Sequence, residues 1–357
     1  MRILLATPGT DVGGAERVVI MLAQELPARG HDVTLWGPAG ALEPELAGAR
    51  VRRIVVPSRG RSPAGVAAGV ASLAAAIRSL RPQIVHAHNP RVSALAALGA
   101  RIARGPRRPR VLATFHGVRH AEYRAASLLL RGADAVTCVS EDLVTGLRDA
   151  GLPAARLHVV ANSVHVPTER DPGRARLDEE LGLSGAAVVI AVGRLVEQKN
   201  HARFVAAAAE VAAVRADARF LIVGDGPLRA ELTAQARSLG LEDRITLLGV
   251  RRDVPALAAR ADLVVFSSDW EGMSLVALEA LAAGTPVLST PVEGMRDLGG
   301  VTLTGTATTS DLARGMLDLL ADPARLALLG ERGRELVASR YSVAAMLDGY
   351  ERLYRAL

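Results

Sequence analysis

The chain has 357 residues, half of them apolar but only 3% aromatic, with a formal net charge of +6 and one cysteine, Cys138. That length suits two domains of roughly 150–200 residues, a single cysteine rules out an internal disulfide or a cysteine-rich metal site, and the spread-out charge, with no recognition helix or interleaved aromatics, argues against nucleic acid as a partner. No run reaches the ~18 apolar residues of a membrane span and the apolar start is too short for a signal-peptide core, so a soluble, cytoplasmic protein is expected.

Short β-branched runs at residues 2–6, 32–36, 51–56, 83–87, 111–115, 135–139 and 157–161 alternate with helical periods at 15–26, 67–80, 92–103 and 141–150. This alternation predicts a parallel sheet with helices on both faces, whose ligands gather at the carboxyl ends of the strands. After the first strand, Thr10-Asp11-Val12-Gly13-Gly14-Ala15-Glu16-Arg17 opens a helix. Its paired glycines suit either a tight turn or the approach of backbone to a phosphate at a helix N-terminus. The segment lacks the G-x-G-x-x-G pattern of a nicotinamide site.

Farther along, His86-Ala87-His88-Asn89 ends a strand and turns two imidazoles to one face, but no Asp, Glu or further His accompanies them as a zinc set. Arg101, Arg104, Arg107, Arg108 and Arg110 then form the one basic cluster, a solvated loop or a peripheral contact with an anionic membrane. Thr114-Phe115-His116-Gly117 ends the next strand, where His116 is placed either to touch substrate or to serve structure.

The alternation breaks at Pro167-Thr-Glu-Arg-Asp-Pro172-Gly173, a turn-forming stretch. Domains are therefore expected at residues 1–166 and 167–340, followed by a terminal helix at 341–357 with Tyr350, Leu353 and Tyr354 on one side, packing back on the first domain. Strands resume at 188–192, 220–223, 245–248, 263–266 and 286–289. The first of these leads into Gly193-Arg194-Leu195-Val196-Glu197-Gln198-Lys199-Asn200, which carries the only lysine of the chain. A planar guanidinium and a compact ammonium five residues apart in one loop suit a diphosphate. Gly224-Asp225-Gly226-Pro227 makes the next strand-to-helix turn.

The most informative segment runs from Ser267 to Pro286. Glu271 lies in a loop, and Glu279 interrupts an otherwise apolar helix that Ser274 can cap and Gly284 can end. A carboxylate in that setting needs a partner, and ligand hydroxyls would serve. The backbone N–H groups of Gly272, Met273, Ser274 and Leu275 at the helix start can cradle a phosphate.

Taken in order, Gly13-Gly14-Ala15-Glu16-Arg17, His86-Ala87-His88, His116-Gly117, Val139-Ser140-Glu141, Gly193-Arg194-Leu195 with Lys199-Asn200, Gly224-Asp225-Gly226-Pro227 and Glu271-x7-Glu279 resemble family 4 of the glycosyltransferases over essentially the whole chain. The resemblance implies an α/β GT-B fold, two doubly wound Rossmann-like domains facing a cleft, and a retaining, metal-independent transferase that uses a nucleotide-sugar donor, UDP favoured over GDP. It implies that Arg194 and Lys199 bind the donor diphosphate, that Glu279 binds the ribose, that Glu271 and His116 contact the sugar, and that Gly13 and Gly14 approach phosphate and acceptor. Gly193, Gly224, Asp225 and the Gly272–Leu275 loop complete the expected donor site. No cofactor is implied, and no Asp-x-Asp occurs to bridge a metal to a diphosphate.

Two departures stand out: Asn162-Ser163-Val164-His165 in place of a frequent Asn-Gly-Val-Asp, and Met273-Ser274 after the Glu-Gly pair. The acceptor is read as a glycan or lipid-linked sugar, with a small-molecule natural product as the alternative; oligomeric state is left open. A nucleotide-sugar epimerase, a phosphorylase and a non-catalytic nucleotide-sugar-binding protein are the rivals. The phosphorylase lacks a second lysine for pyridoxal phosphate.

Overall fold

In β1 (Arg2–Ala6), Ile3, Leu4, Leu5 and Ala6 are each 1% exposed or less, so both faces of the strand are covered. That is the signature of a parallel sheet between helical layers. The computed structural model describes residues 1–11, 13–57, 62–103, 108–167, 173–296 and 298–357. It divides into two compact units, Met1–Asn162 with Ala344–Leu357, and Ser163–Val343.

In the first unit, the N-terminal unit, α1 (Gly14–Glu25), β2 (Asp32–Gly37), β3 (Val51–Val55), α2 (Pro63–Leu80), β4 (Ile84–His88), α3 (Pro90–Ile102), β5 (Arg110–Phe115), α4 (Tyr123–Leu130), β6 (Ala135–Cys138), α5 (Glu141–Asp149) and β7 (Leu157–Val159) follow β1. The sheet order is β3-β2-β1-β4-β5-β6-β7, parallel throughout. The order reverses between β1 and β4, the point at which doubly wound sheets open a crevice for ligands.

One expectation is corrected here. By length and composition alone α2 is long and apolar enough to cross a membrane, with a mean hydropathy of 1.4 over 18 residues. Its buried face, Val70, Leu73, Ala74 and Ile77, packs on α3, where an added Cβ on Gly99 would lie 3.2 Å from the Leu73 Cβ. Small residues such as Gly99 let the two helices approach closely.

The second unit, the C-terminal unit, repeats the scheme with α6 (Arg174–Leu181), β8 (Ala187–Val192), α7 (His201–Val214), β9 (Ala218–Val223), α8 (Arg229–Ser238), β10 (Ile245–Gly249), α9 (Val254–Arg260), β11 (Leu263–Phe266), α10 (Leu275–Ala283), β12 (Val287–Ser289), α11 (Glu293–Arg296), β13 (Val301–Leu303), α12 (Thr309–Leu320) and α13 (Pro323–Arg340). Its order, β10-β9-β8-β11-β12-β13, is again parallel and again reverses beside the first strand of the unit. The core is Val, Leu and Ala around one aromatic pair, Phe204 and Phe220, edge to face at 6.1 Å.

The last helix, α14 (Val343–Ala356), rejoins the N-terminal unit from Ala344 onward. Tyr350 and Tyr354 are each 1% exposed. The Tyr354 hydroxyl lies 2.7 Å from His86 Nδ1, the Tyr350 hydroxyl lies 3.2 Å from Thr114 Oγ1, and Glu351 accepts from His31 Nε2 at 2.8 Å. Leu353, expected on the same side, is only partly buried.

Candidate functional site

In the C-terminal unit, β8 delivers the chain to Gly193 and the exposed Arg194. Leu195, wholly buried, anchors the loop, and its N–H donates to the Asp225 carbonyl at 2.9 Å. Gly224 backs this turn at φ 135°, a region side chains avoid, and a Cβ there would lie 2.0 Å from the Gly193 carbonyl oxygen. The Asp225 carboxylate accepts from the N–H of Gly226 at 2.7 Å, so both residues shape the Arg194 loop from behind. A short turn over Glu197–Lys199 then ends at Asn200, left-handed at φ 44°, whose side chain caps α7 by accepting from Arg203 N.

A second loop, after β11, runs beside the first and is fastened to it at several points. Asp269 N donates to the Gln198 carbonyl at 3.0 Å, Gln198 Nε2 to the Trp270 carbonyl at 3.1 Å and Ser267 Oγ to the Lys199 carbonyl at 3.0 Å. Arg203 bridges both, donating to the Ser267 carbonyl at 2.6 Å and to Asp269 at 2.8 Å. The outcome is one contact at the centre: Lys199 Nζ lies 2.5 Å from Glu271 Oε1, and the Ser268 hydroxyl donates to that same oxygen at 2.5 Å. The Lys199 and Glu271 side chains are 17% and 5% exposed, little enough for the charge pair to act in a weakened dielectric.

Beyond Glu271, Ser274 caps α10 by accepting from Ala277 N, and Gly284 ends it in the left-handed region at φ 84°, as the sequence predicts. Among the described residues the N–H groups of Gly272, Ser274 and Leu275 have no carbonyl partner, leaving donors at a helix start where an anion is favoured. Met273 is buried, and Glu279 is half-buried on α10 and not without a partner. His201, 3% exposed at the start of α7, is pushed down to about 4 by burial, with the positive charge of Lys199 acting in the same direction, so it stays neutral beneath the Lys199 loop.

In the N-terminal unit, Gly13 is the N-cap of α1 and Gly14 its first residue, next to residue 12, which lies outside the described residues. The two strand-end histidines of β4 diverge in role. His86 is enclosed, with Nδ1 at 2.7 Å from the Tyr354 hydroxyl and Nε2 at 2.7 Å from Thr114 Oγ1. His88 Nδ1 lies 3.3 Å from His116 Nε2. Burial lowers all three imidazoles, His86 to about 3 and His116 to about 4, so they are neutral at physiological pH. Among the described residues no group of three or more His, Cys, Asp or Glu is arranged to hold a metal ion. Of the arginine cluster, Arg104 and Arg107 lie outside the described residues, while Arg108 and Arg110 face Asp134 at 3.7 and 3.4 Å.

The structure thus joins Lys199 to Glu271 and Gly193 to Gly224, while Arg194 remains exposed with no ion pair among the described residues. Sequence reasoning singled out His88 with His86 but gave it no role, and it missed Ser268, Arg203, Asp269 and Gly294. An added Cβ on Gly294 would lie 2.1 Å from the Gly272 carbonyl oxygen, so this glycine lets α11 press on the Glu271 loop. The only sequence signal for Ser268 and Asp269 was their nearness to Glu271.

Residues 12–167 match the family described as Glycosyltransferase Family 4, and residues 186–322 match Glycosyl transferases group 1. The chain is 31% identical over 248 residues to an alpha-D-kanosaminyltransferase of Streptomyces kanamyceticus, a match covering 67% of this chain but 62% of that enzyme, so it spans less than two thirds of this relative. It is 31% identical to a GDP-mannose-dependent alpha-(1-6)-phosphatidylinositol monomannoside mannosyltransferase of Mycobacterium tuberculosis, covering 72% of this chain and 73% of the relative. Among solved structures, the Anabaena protein HepE in complex with UDP and glucose superposes with a TM-score of 0.88 at 22% identity, over 100% of both chains.

Proposed function

This chain belongs to glycosyltransferase family 4, and we propose that it is a retaining, metal-independent transferase moving a hexose-type sugar from a UDP-sugar to a hydroxyl acceptor. The observation that carries the reading is the fastened loop pair of the C-terminal unit, which presents exposed Arg194, the Lys199–Glu271–Ser268 cluster and the N–H groups of Gly272, Ser274 and Leu275, which have no carbonyl partner among the described residues. These are donors for a diphosphate and, in Glu271, an acceptor for sugar hydroxyls.

In the reaction the bond from the anomeric carbon to the diphosphate oxygen breaks, and the acceptor oxygen bonds to that carbon from the same face. The acceptor proton passes to the departing phosphate oxygen. Negative charge on the diphosphate grows as the bond breaks, so Arg194 and Lys199 stabilise the transition state more than the ground state. The Glu271 carboxylate holds the Lys199 ammonium in place before the donor arrives, which spares reorganisation during the step. Glu279 is assigned to the ribose hydroxyls.

UDP is preferred as donor nucleotide because the HepE structure holds UDP, although the mycobacterial relative is GDP-mannose-dependent. A lipid-linked sugar or glycan at the cytoplasmic membrane face is the acceptor. Leu98 and Ile102 on α3, 44% and 55% exposed, support peripheral membrane contact next to Arg101. The likeness to the kanosaminyltransferase supports the second reading, a small-molecule acceptor.

The test is turnover of UDP- and GDP-sugars in EDTA, with the anomeric configuration of the product read by NMR. Lys199→Ala is expected to lower kcat by about 100-fold or more, the scale of a lost charge-stabilising donor, in a protein that still folds, although Tm falls because Glu271 loses its counter-charge. Unchanged turnover would remove Lys199 from the chemistry. Nucleotide-sugar binding without turnover would favour the non-catalytic binding protein.

A further inference from the structure

His88 sits at the carboxyl end of β4, 1% exposed, and its two ring nitrogens have unequal surroundings. Nδ1 lies 3.3 Å from His116 Nε2, whereas Nε2 is buried with no hydrogen-bond partner among the described residues. The His88 ring lies 4.2 Å, centroid to centroid, from His86, tilted by 34°, and Tyr354 and Thr114 hold His86 from both of its own nitrogens; the His116 ring lies 5.6 Å away and 22° from parallel.

Both members of the His88–His116 pair are neutral, because burial disfavours the imidazolium in each. One hydrogen therefore lies between them, and there are two ways to place it. If His116 donated from Nε2, His88 would have to carry its own hydrogen on Nε2, as a buried N–H with no acceptor. If His88 donates from Nδ1, its Nε2 is a bare acceptor without a donor. Orphaned buried N–H groups are rarer in folded proteins than undersatisfied acceptors. The second arrangement prevails, and it leaves His116 with its hydrogen on Nδ1, the less common form of a free imidazole.

We propose that His88 is a positioning residue that fixes the tautomer of His116, making His116 Nδ1 a hydrogen-bond donor to a sugar hydroxyl oxygen. The ligand assignment rests on the glycosyltransferase reading; the tautomer assignment does not. The support behind His88 comes from far along the chain, since His86 is held by Tyr354 of α14. A donor at this place discriminates, because a hydroxyl oxygen accepts from it while an apolar group leaves it unpaired.

The experiment is long-range proton–nitrogen NMR on protein labelled with 15N-histidine, with the His116 signals assigned from the spectrum of His116→Gln. Wild type is expected to show His116 protonated at Nδ1 and bare at Nε2, and His88→Leu to shift His116 toward protonation at Nε2. His88→Asn, whose amide N–H takes the place of Nδ1–H, should preserve the wild-type tautomer. With a turned-over nucleotide sugar, His88→Leu should lower kcat/KM about tenfold, the scale of one lost hydrogen bond, leave affinity for the bare nucleoside diphosphate unchanged, and be rescued to within about threefold by His88→Asn. His116 protonated at Nε2 in wild type, or a His116 tautomer indifferent to His88→Leu, would overturn the proposal, and the wild-type spectrum decides even if His88→Leu does not fold. Absence of any nucleotide-sugar turnover by wild type would instead count against the transferase reading and leave the tautomer result standing.

Discussion

Glu271 shares one of its oxygens between two donors, Lys199 and Ser268, at 2.5 Å each. The Ser268 side chain is buried, and its backbone carbonyl is in turn held by Thr290 Oγ1 at 2.7 Å. This makes Ser268 a support for the carboxylate. Hydrogen bonds to charged groups are worth about 1.5–3 kcal/mol, so Ser268→Ala is expected to lower kcat/KM by about ten- to 100-fold. In a Glu271→Gln background the same substitution should cost much less, because the pair acts as a unit. Additive losses measured in that double-mutant cycle would show that Ser268 acts elsewhere. Lys199 was legible in the sequence as the solitary lysine after a strand-ending glycine, and Glu279 as a carboxylate in an apolar helix. Ser268, Arg203 and Asp269 were not, since their partners lie more than sixty residues away or depend on how the two loops align.

At the scale of elements, the parallel strands announced themselves through unbroken apolar runs, and the strand-to-helix alternation located most of them to within a residue or two. The failures have physical causes. β13 has three residues and lies at the sheet edge, too short to show a pattern. β7 ends at Val159 where 161 was expected, because pairing with β6 stops there. α2 starts at Pro63, four residues before the apolar period begins, since Ser62 caps it and proline suits a first helical turn.

Helix placement around the site depends on contacts that no single-element pattern displays. α13 meets the end of α10 at Gly330, where an added Cβ would lie 2.0 Å from the Gly284 carbonyl oxygen. Gly330→Ala is therefore expected to destabilise the C-terminal unit by about 1–3 kcal/mol, the usual cost of overpacking, as read by urea denaturation. An unchanged midpoint would mean that the two helices can part at no cost.

For the molecule as a whole, buried neutral histidines set the response to acid. His86, His88 and His201 are 3% exposed or less, and burial lowers each, His86 to about 3 and His201 to about 4. In the unfolded chain they bind protons near 6.5, so between that value and about 4 the unfolded state holds more protons than the folded one. Stability is then complete above pH 6.5 and falls as the pH drops, by at most about 1.4 kcal/mol per unit for each such group. Carboxylates such as Glu351, lowered by its hydrogen bond from His31, act only at still lower pH. Urea denaturation at pH 7 and pH 5 is expected to differ by about 5 kcal/mol, nearly 2 for each of the three histidines, and equal stability at both would show that the histidines are not buried neutral.

The central claim is that the fastened loops of the C-terminal unit form a metal-free clamp for a nucleoside diphosphate. Calorimetric titration of UDP in EDTA into wild type and Arg194→Ala tests it most directly. The account predicts binding by wild type and about ten- to 100-fold weaker binding by the variant, as expected for loss of a charge-assisted contact. Absence of UDP and GDP binding by wild type, or equal affinity in the two proteins, would contradict it.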